Sequence, residues 1–131
     1  MPERALNPAP PDTRSETARH TLTSATCRAA DLLGVSQSEL ASILGLSPAT
    51  VSRMTTGRYT LQPDRKEWQL AALFIRLFRS LDSITGGRDP HSRAWLRSYN
   101  HALQAEPAAL LPQIESFVRV VQYVDANRAR I

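Results

Sequence analysis

The chain has 131 residues, 42% of them apolar, and its 16 basic and 12 acidic side chains leave a formal charge of +4. That length suits one compact domain or two small ones sharing a core, and the composition excludes a disordered or fibrous chain. The strongest apolar run, Leu70 to Phe78, is too short to cross a bilayer and is broken by Arg76, and the lone Cys27 excludes an internal disulfide.

Residues 1–20 hold four of the nine prolines and three charges of each sign, without apolar periodicity. They are expected to form an arm with no fold of its own. No apolar stretch of signal-peptide length occurs there, so a cytoplasmic chain is expected. Beyond residue 20 apolar residues recur at helical spacing and never alternate with period two over a useful length, so the fold class is all-α. The spacing predicts a helix from about Thr23 to Leu33, closed by Gly34. Ser36, with Glu39 three residues on, forms a capping-box pattern for a short helix ending near Leu44. Ser47 followed by Pro48 opens another, ending near Thr56. Longer helices are predicted over about Pro63–Ile84, from Asp89 to about Leu103, and over about Gln113–Ala126, the last preceded by a turn bracketed by Pro107 and Pro112. The expected division is an arm (1–20), a DNA-binding part (21–62), a long central or dimerisation helix (63–87) and a C-terminal domain (88–131).

Gln37 to Thr56 is the most informative stretch. Two short helices meet there across a three-residue turn, with a small residue, Ala41, at the close crossing and Gly45 where the turn needs a positive φ. Leu40, Leu44, Leu46, Val51 and Met54 fall on the inward faces. These are the demands of a DNA-reading helix-turn-helix; a plain packed helical pair is the competing reading. The outward residues favour the former. No acid lies between Glu39 and Asp64, so the surface can approach phosphates. Thr50, Ser52 and Arg53 are candidates for base contact, and Ser47, Arg58 and Gln37 for the backbone. Fifteen of the 16 basic residues are arginine, whose planar fork suits phosphates and guanine edges. Genomic base composition accounts for that bias equally well. One such unit makes few contacts, so a homodimer reading two half-sites of operator double-stranded DNA is expected.

In the long helix, Leu70, Phe74, Leu77, Leu81 and Ile84 form one stripe, and Trp68, Ala71, Ile75 and Phe78 a second beside it. A helix apolar over most of its circumference is enclosed on several sides. Either the chain's own elements or a second subunit supplies the cover.

The C-terminal third reads Arg-Ala-Trp-Leu-Arg-Ser-Tyr-Asn-His-Ala-Leu over 93–103, then Glu106-Pro107, Leu110-Leu111, and an amphipathic run from Glu115 containing Val-Val-Gln-Tyr-Val. This order, behind a helix-turn-helix, resembles the toxin-binding domain of the MbcA/ParS/Xre antitoxin family. The resemblance covers roughly residues 22–131. Tyr99 stands where the family commonly has proline, and Gln104 and Ser116 or Phe117 where it often has glycine. The resemblance implies an antitoxin that neutralises a RES-domain toxin, an enzyme attacking NAD⁺, and represses its own operon. It further implies toxin contact through Trp95, Asn100, Arg119, Tyr123, Asn127, Arg128, Arg130 and Ile131. The basic end, Arg128 to Ile131, would enter a cleft built for a dinucleotide; an ordinary solvated terminus is the alternative.

Other chemistry is thin. His20, His91 and His101 have no partners at metal-ligand spacing, and Cys27 reads as a buried filler. Neither a phosphate loop nor a nucleophile elbow is present. No metal, cofactor, membrane or catalytic role is expected. The rival functions are a free-standing dimeric regulator and an interaction protein that has lost DNA binding.

Overall fold

The computed structural model describes residues 15–128. Among the described residues seven helices follow one another: α1 (Glu16–Leu33), α2 (Gln37–Leu44), α3 (Pro48–Thr55), α4 (Lys66–Thr85), α5 (Asp89–Arg97), α6 (Pro107–Leu110) and α7 (Ile114–Arg128). No strand occurs among the described residues; an isolated bridge between Asn100 and Ala105 is the sole β-type pairing. The all-α expectation therefore holds.

Local rules explain most boundaries. Ser36 accepts the N–H of Glu39 while the Glu39 side chain accepts that of Ser36, closing the capping box that starts α2. Ser47 caps α3 ahead of Pro48, and α1, α2 and α4 end on left-handed glycines, Gly34, Gly45 and Gly86.

Three expectations are corrected. The first helix starts seven residues earlier than expected, so residues 16–20 belong to α1 rather than to an arm; residues 1–14 lie outside the described part. Ser15 accepts the N–H of Ala18, and Glu16 sits at the positive end of the helix dipole. Farther along α1, Thr23 and Thr26 are buried yet satisfied, each hydroxyl donating to the carbonyl four residues back at 2.7 and 2.8 Å.

The second correction concerns α5, which stops at Arg97, six residues short of the expected Leu103. Ser98 turns extended (φ −105°, ψ 144°), the Asn100 side chain accepts the N–H of Leu103 at 3.0 Å, and Gln104 takes φ +57°. Gln104 thus occupies a left-handed position without glycine's freedom. Thirdly, the turn between Pro107 and Pro112 contains the one-turn helix α6.

The central helix α4 packs chiefly along α7 and α1, with α2 and α5 closing further sides. Ala71, Phe74, Leu77 and Leu81 are completely or almost completely buried within the single chain. Phe74, Leu77 and Leu81 each contribute about 1.5–3 kcal/mol by leaving water. Phe74, Leu77 and Leu81 of the first stripe and Ala71 of the second are thus covered by the chain's own helices, while Trp68, Leu70, Ile75 and Phe78 stay partly exposed and Ile84 is exposed.

Candidate functional site

The first candidate face is built by α2 and α3. Leu40, Ala41, Leu44, Val51 and Met54 are all buried, with Leu46 packed against them. Gly45 has φ +70°, and a Cβ there would meet nothing within 4 Å, so backbone conformation rather than space demands the glycine. The remaining side of α3 faces solvent.

Gln37, Ser47, Ser52, Arg53 and Arg58 are exposed, and Thr50 is half-buried. Thr50 is also not free. Its hydroxyl pairs with that of Ser47 at 2.9 Å and accepts from the Arg53 guanidinium at 3.2 Å. This chain of contacts props Arg53 against the N-terminal turn of α3, so Thr50 acts on Arg53 before it acts on anything outside. Arg58, just past the helix, donates to Thr56 at 3.1 Å.

The loop holding Arg58 is anchored by groups that sequence reasoning missed. Glu67, only 4% exposed, accepts the Tyr59 hydroxyl at 2.5 Å and the Gln62 N–H at 3.0 Å. The Leu61 N–H donates to Thr23 on α1 at 2.9 Å. Burial first, and then the Glu67 hydrogen bond, push the Tyr59 hydroxyl up to about 12. Arg65 and Lys66, both exposed, precede Glu67 at the start of α4. Nothing local in the sequence names these partners, which lie on different elements.

The second candidate face lies on α5 and α7. Arg119, Tyr123 and Asn127 recur every fourth residue and share one flank of α7. Trp95 stacks on Tyr123 with ring centroids 6.4 Å apart and planes 18° from parallel. Leu81, Ile84, Trp95, Tyr123, Val124 and Asn127 line a depression of about 210 Å³, with Ile84 exposed at its edge. Asn127 donates to the carbonyl of Tyr123 at 2.9 Å.

Asn100 and Arg119 meet elsewhere on this side, at the turn around Leu103. Arg119 donates to the Leu103 carbonyl at 3.3 Å, and Asn100 holds the Leu103 N–H. Both therefore shape the turn. Arg128 donates to Ser80 at 3.3 Å, beside Asp125, which accepts from Ser80 at 2.5 Å and from Arg76 at 2.8 Å. Burial raises the Asp125 carboxyl, but the Ser80 and Arg76 hydrogen bonds and nearby positive charge more than offset it, leaving it below the usual value. Arg130 and Ile131 lie outside the described residues.

Elsewhere, His20, His91 and His101 are exposed, and among the described residues no cluster of three metal-ligating side chains occurs. Cys27 is half-buried, and burial, then the Asp31 charge, raise its thiol. Among the described residues no helix is long and apolar enough to cross a membrane.

Comparisons with known proteins agree with this two-faced arrangement. Residues 13–76 match the family model for the antitoxin Xre-like helix-turn-helix domain, and residues 80–130 match that for the antitoxin Xre/MbcA/ParS C-terminal toxin-binding domain. The first match ends and the second begins within α4. A chain of the M. tuberculosis MbcT–MbcA toxin–antitoxin complex superposes with a TM-score of 0.63 at 25% identity, over 84% of this chain and 96% of that one. No curated protein is a significant match. With both domains present, in order and over nearly the whole length, the chain belongs to the Xre/MbcA/ParS antitoxin family.

Proposed function

We propose that this chain neutralises a RES-domain toxin that degrades NAD⁺, and that as a homodimer it represses its own operon by binding operator DNA. The observation that carries the reading is the pairing, in one bundle, of an exposed acid-free α3 with an aromatic depression on the toxin-binding domain.

On the DNA side, Ser52 and Arg53 read base edges, Thr50 orients Arg53, and Gln37, Ser47 and Arg58 hold the phosphate backbone. On the other side, Trp95, Tyr123 and Asn127 form the seat, Asn100 and Arg119 shape the adjoining turn, and Arg128, Arg130 and Ile131 enter the toxin's cofactor cleft. Arginine suits that cleft because it pairs with carboxylates and stacks on the rings that handle a dinucleotide.

The test is coexpression with the product of the neighbouring gene, followed by copurification, sizing and an NAD⁺-consumption assay. The expected result is a stable complex in which NAD⁺ loss is suppressed. Deleting Arg128 to Ile131 should abolish suppression and leave DNA binding intact; full protection by the truncated chain defeats the tail's role. Binding to the DNA upstream of the gene should weaken with salt along a negative log–log slope, as phosphate contact requires. Absence of any copurifying partner, with DNA binding kept, would favour a free-standing regulator.

A further inference from the structure

Two arginines of α5 reach across to the helix-turn-helix unit. Arg97 donates to both carboxylate oxygens of Glu39, at 2.6 and 2.8 Å, and to the carbonyl of Gly34 at 2.9 Å. Arg93 donates to the carbonyl of Leu32 at 3.0 Å, and its Cδ lies 2.9 Å from where a Cβ on Gly34 would stand. The last turn of α1 carries no basic residue of its own, so these guanidiniums satisfy the carbonyls at its negative end.

Glu39 is shared. The oxygen that receives Arg97 at 2.8 Å also accepts the N–H of Ser36 at 2.9 Å, the bond that closes the capping box of α2. One carboxylate thus sets the first turn of α2, where Gln37 sits, and ties it to the toxin-binding domain. Trp95, the aromatic wall of the other face, is two residues from Arg97 on the same helix.

We infer that Arg97 is a positioning residue for DNA binding: it holds α2, and with it Gln37, in register from the toxin-binding domain, so that the two faces are coupled through Glu39. The inference rests on the DNA-binding reading proposed above. It differs from a general stabilising role in one respect. Arg97 touches no DNA in this scheme, so its loss weakens binding without removing a phosphate contact. An exposed ion pair adds little stability, but a bidentate pair adds orientation.

The experiment uses the full chain and a labelled duplex from immediately upstream of its gene, titrated by fluorescence anisotropy over a range of salt. Arg97→Gln is expected to weaken binding about fivefold or more, the lower end of typical coupling between sites, with the salt slope unchanged. Glu39→Gln should weaken it to the same extent, the double variant no further, and Arg97→Lys should recover part of the loss. Arg93→Gln, which frees α1's end but leaves Glu39 clasped, should stay within about twofold of the parent. Circular dichroism confirms that each variant is folded. Wild-type affinity in folded Arg97→Gln overturns the inference, as does an additive double variant, a shallower salt slope, or an Arg93→Gln loss equal to that of Arg97→Gln. If the parent chain itself does not bind the duplex, it is the DNA-binding reading that fails.

Discussion

The carboxylate of Glu67, in the first turn of α4, receives the hydroxyl of Tyr59 at 2.5 Å and fastens the loop after α3 to the core. Replacing Tyr59 by Phe should cost about 1.5–3 kcal/mol, the range for a hydrogen bond to a charged group, read as a lower urea midpoint. The pH dependence has a definite sign. The folded hydroxyl titrates near 12 and the free one near 10, so the bond's contribution is complete below pH 10 and disappears as pH rises through 12. Tyr59→Phe should lose that alkaline sensitivity; a variant with the parent's profile would place the titration elsewhere.

Leu77 is fully buried between α4 and its neighbours. Leu77→Ala should destabilise by about 2–5 kcal/mol through lost transfer energy and a residual cavity. Leu77→Glu should abolish the helical signal by circular dichroism. A well-folded monomer from the Glu variant would make this position an interface between subunits instead.

Gln104 holds φ +57° in the turn that ends α5's domain segment. Glycine carries no steric penalty there, so Gln104→Gly should stabilise by about 0.5–1 kcal/mol, measured as a rise of several degrees in Tm. A fall in Tm would mean that the glutamine side chain makes a compensating contact.

Arg53 stands on the solvent side of α3, braced by Thr50. Arg53→Ala should lower affinity for the upstream duplex by about 1–3 kcal/mol and relax preference at one base pair. Equal loss against every sequence tested would assign Arg53 to the phosphate backbone.

The Arg97 hydrogen bonds hold the Glu39 carboxyl down at about 2, against an ordinary value of 4.5. Its contribution is therefore present above pH 4.5 and is lost as pH falls through 2. Both side chains are about two-fifths exposed, so screening limits the effect to roughly 0–1 kcal/mol. Glu39→Gln should flatten the parent's acid-side fall in urea midpoint over that window.

The helices were largely legible because their signals are local. A serine three residues before Glu39, a proline after Ser47, and glycines at Gly34, Gly45 and Gly86 dictate starts and stops through bonds spanning four or five residues. The start of α1 escaped because its first turns are polar: Glu16 to His20 carry no apolar stripe, and Ser15 alone marks the cap. The end of α5 escaped because a side-chain bond from Asn100 competes with the helix that apolar spacing suggests.

The sequence by itself determined an all-helical chain with a helix-turn-helix pattern, since capping, glycine conformation and periodicity act between near neighbours. Tertiary structure alone decided which charges meet: Arg97 with Glu39, 58 residues apart, and Arg76 with Asp125, 49 apart. It also decided that Phe74, Leu77 and Leu81 of α4 are buried, because α1 and α7 fold onto that helix from opposite ends of the chain. Such pairings depend on how whole helices pack, and no local rule encodes them.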